Sequence, residues 1–151
     1  MSRFHLLKLL FLCGLCLTEL RADDLDIDPD TPEVQSQFHA RFLEVRTACA
    51  EEFLLPYAYV LQFNNTGKLA DETDLTSMCY FRCFFEKSGI VENFKLVPSI
   101  VRKYIWPATG DSIEYCESQG ISEPNACKRT YAIVQCAMMR ALTDARNKPM
   151  V

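Results

Sequence analysis

Six cysteines follow an apolar N-terminus, at Cys49, Cys79, Cys83, Cys116, Cys127 and Cys136, and they constrain the fold more than any other feature. Their meaning depends on the compartment, and the first residues address it. Arg3 and Lys8 are positive, Leu9 to Leu17 is an apolar core, and Leu20-Arg21-Ala22 offers a cleavage site after Ala22. This is the pattern of a secretory signal peptide over residues 1–22, too short for a membrane span. Cys13 and Cys16 have C-x-x-C spacing but lie inside that apolar core and would leave with it. The chain left is 129 residues, one domain's length, and its even cysteine count reads as a disulfide framework. Oxidised thiols weaken the metal-site and free-nucleophile readings.

Helix spacing narrows the pairings but does not select one. Six cysteines allow fifteen sets. Cys127 and Cys136 lie nine residues apart in one expected helix, roughly 13 Å along its axis, so they cannot bond. Cys79 and Cys83 share a helix face with nearly parallel Cβ vectors, which disfavours their pairing. Ten sets remain open.

The punctuation is helical throughout. Thr31-Pro32-Glu33 supplies a cap, a first-turn proline and an acid at the positive helix end. Val34, Phe38, Phe42, Val45, Cys49 and Phe53 then recur every three or four residues until Leu55-Pro56. A short second helix is expected from about Pro56 to Phe63, stopping at Asn64-Asn65-Thr66-Gly67. Asp74 caps a third, carrying Leu75, Met78, Cys79, Arg82, Cys83 and Glu86, with Gly89 past its end. The fourth runs Val97 to Trp106 and is closed by Pro107; the fifth runs about Asp111 to Ser118. Ser122-Glu123-Pro124 opens the sixth, whose stripe is Cys127, Tyr131, Val134, Met138 and Leu142. No sustained period-two alternation or Asn-Gly hairpin turn appears, so the expectation is a single all-α domain of about six helices. Residues 23–30 read as a solvated acidic leader and 143–151 as a C-terminal tail.

Charge and motifs exclude more than they propose. Past residue 22 there are 13 basic and 19 acidic residues, a net charge of −6, with no cationic cluster. Nucleic acid and anionic membranes are therefore excluded as partners, because both need a positive patch. No G-x-S-x-G, H-E-x-x-H or Gly-rich phosphate loop occurs. His39, the one histidine past residue 22, reads as a surface helix residue; no enzyme, metal or cofactor is expected. Asn64-Asn65-Thr66 is an N-glycosylation sequon in an expected loop.

The spacing C-x29-C-x3-C-x32-C-x10-C-x8-C resembles the insect odorant-binding proteins of the pheromone- and general-odorant-binding family. The x3 and x8 spacings carry the resemblance, and it spans residues 23–151. It implies the bridges Cys49–Cys83, Cys79–Cys127 and Cys116–Cys136, with helices around an apolar cavity. It places Phe42, Phe81, Phe85, Ile105, Trp106, Ile113, Tyr131, Val134, Met138 and Leu142 on the cavity wall. Any one of these is as readily plain core packing, while Trp106 and Tyr131 also offer polar groups to a ligand oxygen. The function implied is a secreted, extracellular carrier of small hydrophobic molecules, with a chemosensory receptor as a second partner and a monomer or weak homodimer as its state. The alternative is a secreted interaction protein of the same fold, reproductive, haemolymph or salivary, without an olfactory role.

Overall fold

The structure, a computed structural model, describes residues 32–147. The expected signal peptide, the acidic leader, Thr31 and residues 148–151 of the expected tail lie outside the described residues. Backbone contacts divide the chain into Met1–Gln35 and Ser36–Val151, and every residue discussed as a site belongs to the second unit.

The order is α1 (Pro32–Phe53), α2 (Tyr57–Thr66), α3 (Leu75–Lys87), β1 (Val91–Glu92), β2 (Lys95–Leu96), α4 (Pro98–Ile100), α5 (Ser112–Ser118) and α6 (Ala126–Asn147). A π-helical turn, Val101–Ile105, continues α4 directly. The boundaries have local causes. Asp74 Oδ1 accepts from the backbone N–H groups of Thr76 (3.0 Å) and Ser77 (3.3 Å), satisfying two orphan donors of α3. Gly67 ends α2 at φ 72°, donating its N–H to the Phe63 carbonyl at 2.7 Å.

Four features depart from the sequence reading. The sixth helix starts at Ala126, because Asn125 rather than Ser122 caps it: Asn125 Oδ1 accepts from the Cys127 (3.0 Å) and Lys128 (3.1 Å) N–H groups. It then runs on to Asn147, so residues 143–147 are helix rather than tail. The segment after Gly89 forms a small antiparallel hairpin pairing Val91 with Leu96 and Glu92 with Lys95. Its turn residues, Asn93 (φ 50°) and Phe94 (φ 61°), both adopt the left-handed conformation of a tight hairpin turn without an Asn-Gly pair. Finally, α2 extends to Thr66, which puts Asn64 on an exposed helical turn instead of in a loop.

Three disulfides join the helices. Cys49–Cys83 ties α1 to α3, Cys79–Cys127 ties α3 to α6, and Cys116–Cys136 ties α5 to α6, with Cα separations of 5.9, 4.7 and 5.3 Å. These are the pairs the family resemblance implies. Two of the three reach α6 and two reach α3, so the central helix pair is fixed to both of its flanks. Between them lies one core including Phe63, Tyr80, Phe81, Ile90, Val101 and Ile133, each 1% exposed or less except Phe81 at 2%.

Candidate functional site

Residues of α3 carry the centre of the interior. Its sequence, Tyr80-Phe81-Arg82-Cys83-Phe84-Phe85, places four aromatics on a helix barely two turns long over that stretch. Cys79 and Cys83 fix which way the helix faces, so the rings between them are turned inward. Phe81 packs at 4.2 Å between centroids against Phe63 of α2, and Phe63 in turn meets Phe85 at 6.4 Å and Tyr131 of α6 at 6.1 Å. Phe84 lies 5.2 Å from Phe85 and 5.7 Å from Phe42 of α1; Phe42 meets Phe38, which stacks on Tyr104 at 3.6 Å. One aromatic seam therefore runs from the π-helical turn through α1 and α3 to α6. The contacts at 5.2 to 6.4 Å lie in the range where ring pairs add roughly 0.5–1.5 kcal/mol beyond burial, and Phe63–Phe81, Phe38–Phe42 and Phe38–Tyr104 are closer still.

Six of the ten wall residues named from sequence are buried in this core: Phe81, Phe85, Trp106, Ile113, Tyr131 and Val134. Phe42, Ile105 and Met138 are half-buried and pack against it, while Leu142 is half-buried a turn further out. Both polar groups proposed to meet a ligand already have protein partners. The Trp106 indole N–H donates to Asp144 Oδ2 at 2.5 Å. The Tyr131 hydroxyl accepts from the Leu69 backbone N–H (3.0 Å) and from the Gln135 amide (3.0 Å), and lies 3.5 Å from Glu72 Oε1. Burial raises the Tyr131 pKa above the ordinary phenol value, so it is a neutral hydroxyl. These groups pin the wall in place rather than pointing at a guest.

Phe63 and Phe84 are members of the seam absent from the sequence-based set. Phe63 carried a signal, as the last apolar residue before the turn at Asn64. Phe84 did not, since its place on the stripe depends on how the disulfides rotate α3.

An open cavity of about 470 Å3 lies to one side, between the end of α1, the start of α2 and Tyr80 of α3. None of the ten wall residues lines it. Its walls are Ala50, Leu55 and Val60, with Arg46, Thr47, Glu51, Leu54 and Tyr57 at the mouth and Tyr80 at the base. Its one sequence signal is Leu54-Leu55-Pro56, where two leucines meet a helix end.

Chemistry beyond apolar contact has few groups to work with. Among the described residues no three His, Cys, Asp or Glu side chains cluster as a metal site, and no helix is long and apolar enough to cross a membrane. His39 lies exposed on α1.

A six-cysteine helical domain with this bridging and an aromatic interior defines a class, and residues 31–140 match that class, the PBP/GOBP family. The chain belongs to it. It is 55% identical over 127 residues to general odorant-binding protein 84a of Drosophila melanogaster, an alignment covering 83% of this chain and 73% of that one. No solved structure matches.

Proposed function

We propose that this protein is a secreted carrier that takes small hydrophobic odorants or related lipids out of water and holds them against its aromatic interior. The observation that carries the reading is the continuous seam from Tyr104 to Tyr131 inside a chain of the PBP/GOBP family. Transfer of apolar surface from water supplies about 25 cal/mol per Å2, enough for reversible binding with no bond made or broken. Residues 1–22 act as the signal peptide, and an extracellular fluid is where three disulfides persist. A chemosensory receptor is the proposed second partner, with the carrier acting as a monomer or weak homodimer.

Fluorescence of N-phenyl-1-naphthylamine tests the reading. The refolded chain of residues 23–151 should raise the probe's emission, and apolar volatiles should displace it. Phe81→Trp, which overfills the seam, should weaken the probe at least several-fold while the chain keeps its helical circular dichroism. Absence of probe binding together with absence of binding across a broad volatile panel would exclude the carrier reading.

A further inference from the structure

The groove beside Tyr80 combines three features that ordinary surface packing does not require together. The first is a polar base open to the groove. Tyr80 is 1% exposed as a residue, but its hydroxyl oxygen is not among the enclosed unpaired polar atoms of the described residues, which are Arg129 Nε and Thr130 Oγ1. Burial also pushes its pKa up to about 12, with the nearby Arg46 charge pulling the other way and Tyr57 adding to the rise. The hydroxyl is therefore a standing proton donor facing the groove.

The second feature is an uncommitted cation. Arg46 is half-buried, lines the same groove and stacks over the Tyr57 ring at 5.3 Å. The ion pairs among the described residues are Arg82–Glu86 and Lys87–Glu52, so its guanidinium holds no carboxylate. Glu51 is the one carboxylate on the groove wall, five residues on and so roughly 7.5 Å further along the helix axis. Arg46 is the one cationic side chain on the groove wall.

The third is a strained apolar rim. Leu54 adopts φ 51°, a left-handed conformation costly for a side chain branched beyond Cβ, and it stands 86% exposed at the mouth. A glycine would end α1 at this position without strain. Leucine here keeps an aliphatic surface over the groove instead.

The geometry points to a second ligand site in this groove, taking a medium-chain monocarboxylate: the carboxylate against Arg46 and the Tyr80 hydroxyl, the chain over Ala50, Leu55 and Val60 beneath Leu54. The guanidinium offers a planar pair of N–H donors and the phenol a third, the complement of a carboxylate's two oxygens. The volume falls within the range of small-molecule pockets. None of the ten wall residues lines the site, which meets the aromatic interior through the Tyr80 ring, 5.0 Å from Phe81.

Calorimetric titration of the 23–151 chain with decanoate and with 1-decanol tests it, alongside naphthylamine fluorescence as the readout of the interior. Arg46→Met should weaken decanoate about tenfold and Tyr80→Phe by a smaller factor, as loss of charge-assisted hydrogen bonds requires. Leu54→Gly should weaken decanoate while raising thermal stability, a combination that a purely structural role would not give. In Arg46→Met 1-decanol and the naphthylamine should bind within about twofold of the parent, and in Leu54→Gly the naphthylamine should, as expected for sites that share no partner. Tyr80→Phe keeps the ring packed 5.0 Å from Phe81 and is read by the fall in decanoate relative to naphthylamine. Failure of decanoate to bind the parent chain overturns the proposal. So does an unchanged decanoate affinity in both Arg46→Met and Tyr80→Phe, or a fall that naphthylamine shares, which would place decanoate in the interior.

Discussion

The Trp106 indole N–H donates to Asp144 Oδ2 at 2.5 Å, joining the residue after the π-helical turn to the last turn of α6. Trp106 is 4% exposed and Asp144 is exposed, so the carboxylate caps a buried ring from the solvent side. The contact lies in the part of α6 that runs past Leu142 to Asn147.

Asp144→Ala should therefore cost about 1–2 kcal/mol, the range for a hydrogen bond to a charged group that remains partly wet. The chain's single tryptophan makes the local effect visible. Its emission should move to longer wavelength and become more accessible to acrylamide, with the thermal midpoint lowered. An unchanged spectrum would mean that the indole is held by packing alone.

What the sequence made legible was what local chemistry decides. Asp74 and Gly67 are boundary signals that act within four residues of themselves: Asp74 caps α3 as read, while Gly67 closes α2 three residues past the expected end at Phe63. Proline at 98 and at 107 likewise brackets the α4 and π-helical segment. The π geometry was not legible, because Trp106 N–H reaching the Val101 carbonyl at 2.8 Å reflects how Trp106 is docked against α6. The hairpin at Val91–Leu96 was hidden for a related reason: Leu96 N–H is held by Glu117 Oε1 at 2.9 Å, a partner twenty-one residues away. The disulfide set was open on spacing alone and came only with the family resemblance. For the wall residues, periodicity could say which side chains are apolar, yet not that Phe63 and Phe84 complete the seam. The groove was invisible because its defining residue, Leu54, is left-handed, and leucine advertises no such conformation.

Gly67 offers a sharper test of how α2 docks on α6. A Cβ there would sit 2.7 Å from Met139 Cγ and 3.2 Å from the Met139 backbone nitrogen, in a backbone already at φ +72°. Gly67→Ala should lose about 1–2 kcal/mol from the left-handed conformation alone, and more from the contact. Met139→Ala should recover only part of that loss, since the backbone nitrogen remains. Full recovery in thermal melts would show that the conformation itself carries no strain.

The three bridges should differ in worth by the loops they close. Sequence separations of 20, 34 and 48 residues predict roughly 3, 4 and 4 kcal/mol from chain entropy. Replacing Cys79 and Cys127 together by serine should thus destabilise more than replacing Cys116 and Cys136. Denaturant unfolding of the two double variants gives the comparison. An inverted order would mean that the α5–α6 bridge stabilises through native contacts rather than through the unfolded chain. In the intact 23–151 chain, reduction should raise the mass by about six daltons, two for each bridge.

Tyr80 gives the last prediction its sign. Its folded pKa of about 12 lies above the ordinary phenol value, chiefly because burial disfavours the phenolate. The folded state therefore binds the proton more tightly than the unfolded state does. The stability this contributes is complete below about pH 10, the ordinary phenol pKa, and is lost as pH rises through about 12. Tyr80→Phe should flatten the alkaline arm of the stability profile and delete the corresponding late step from the phenolate absorbance titration. Arg46→Met should do the opposite to that step, delaying it further, since the guanidinium is what favours the charged form. A Tyr80 that titrates with the exposed tyrosines would show that burial does not hold the phenol protonated at the base of the groove.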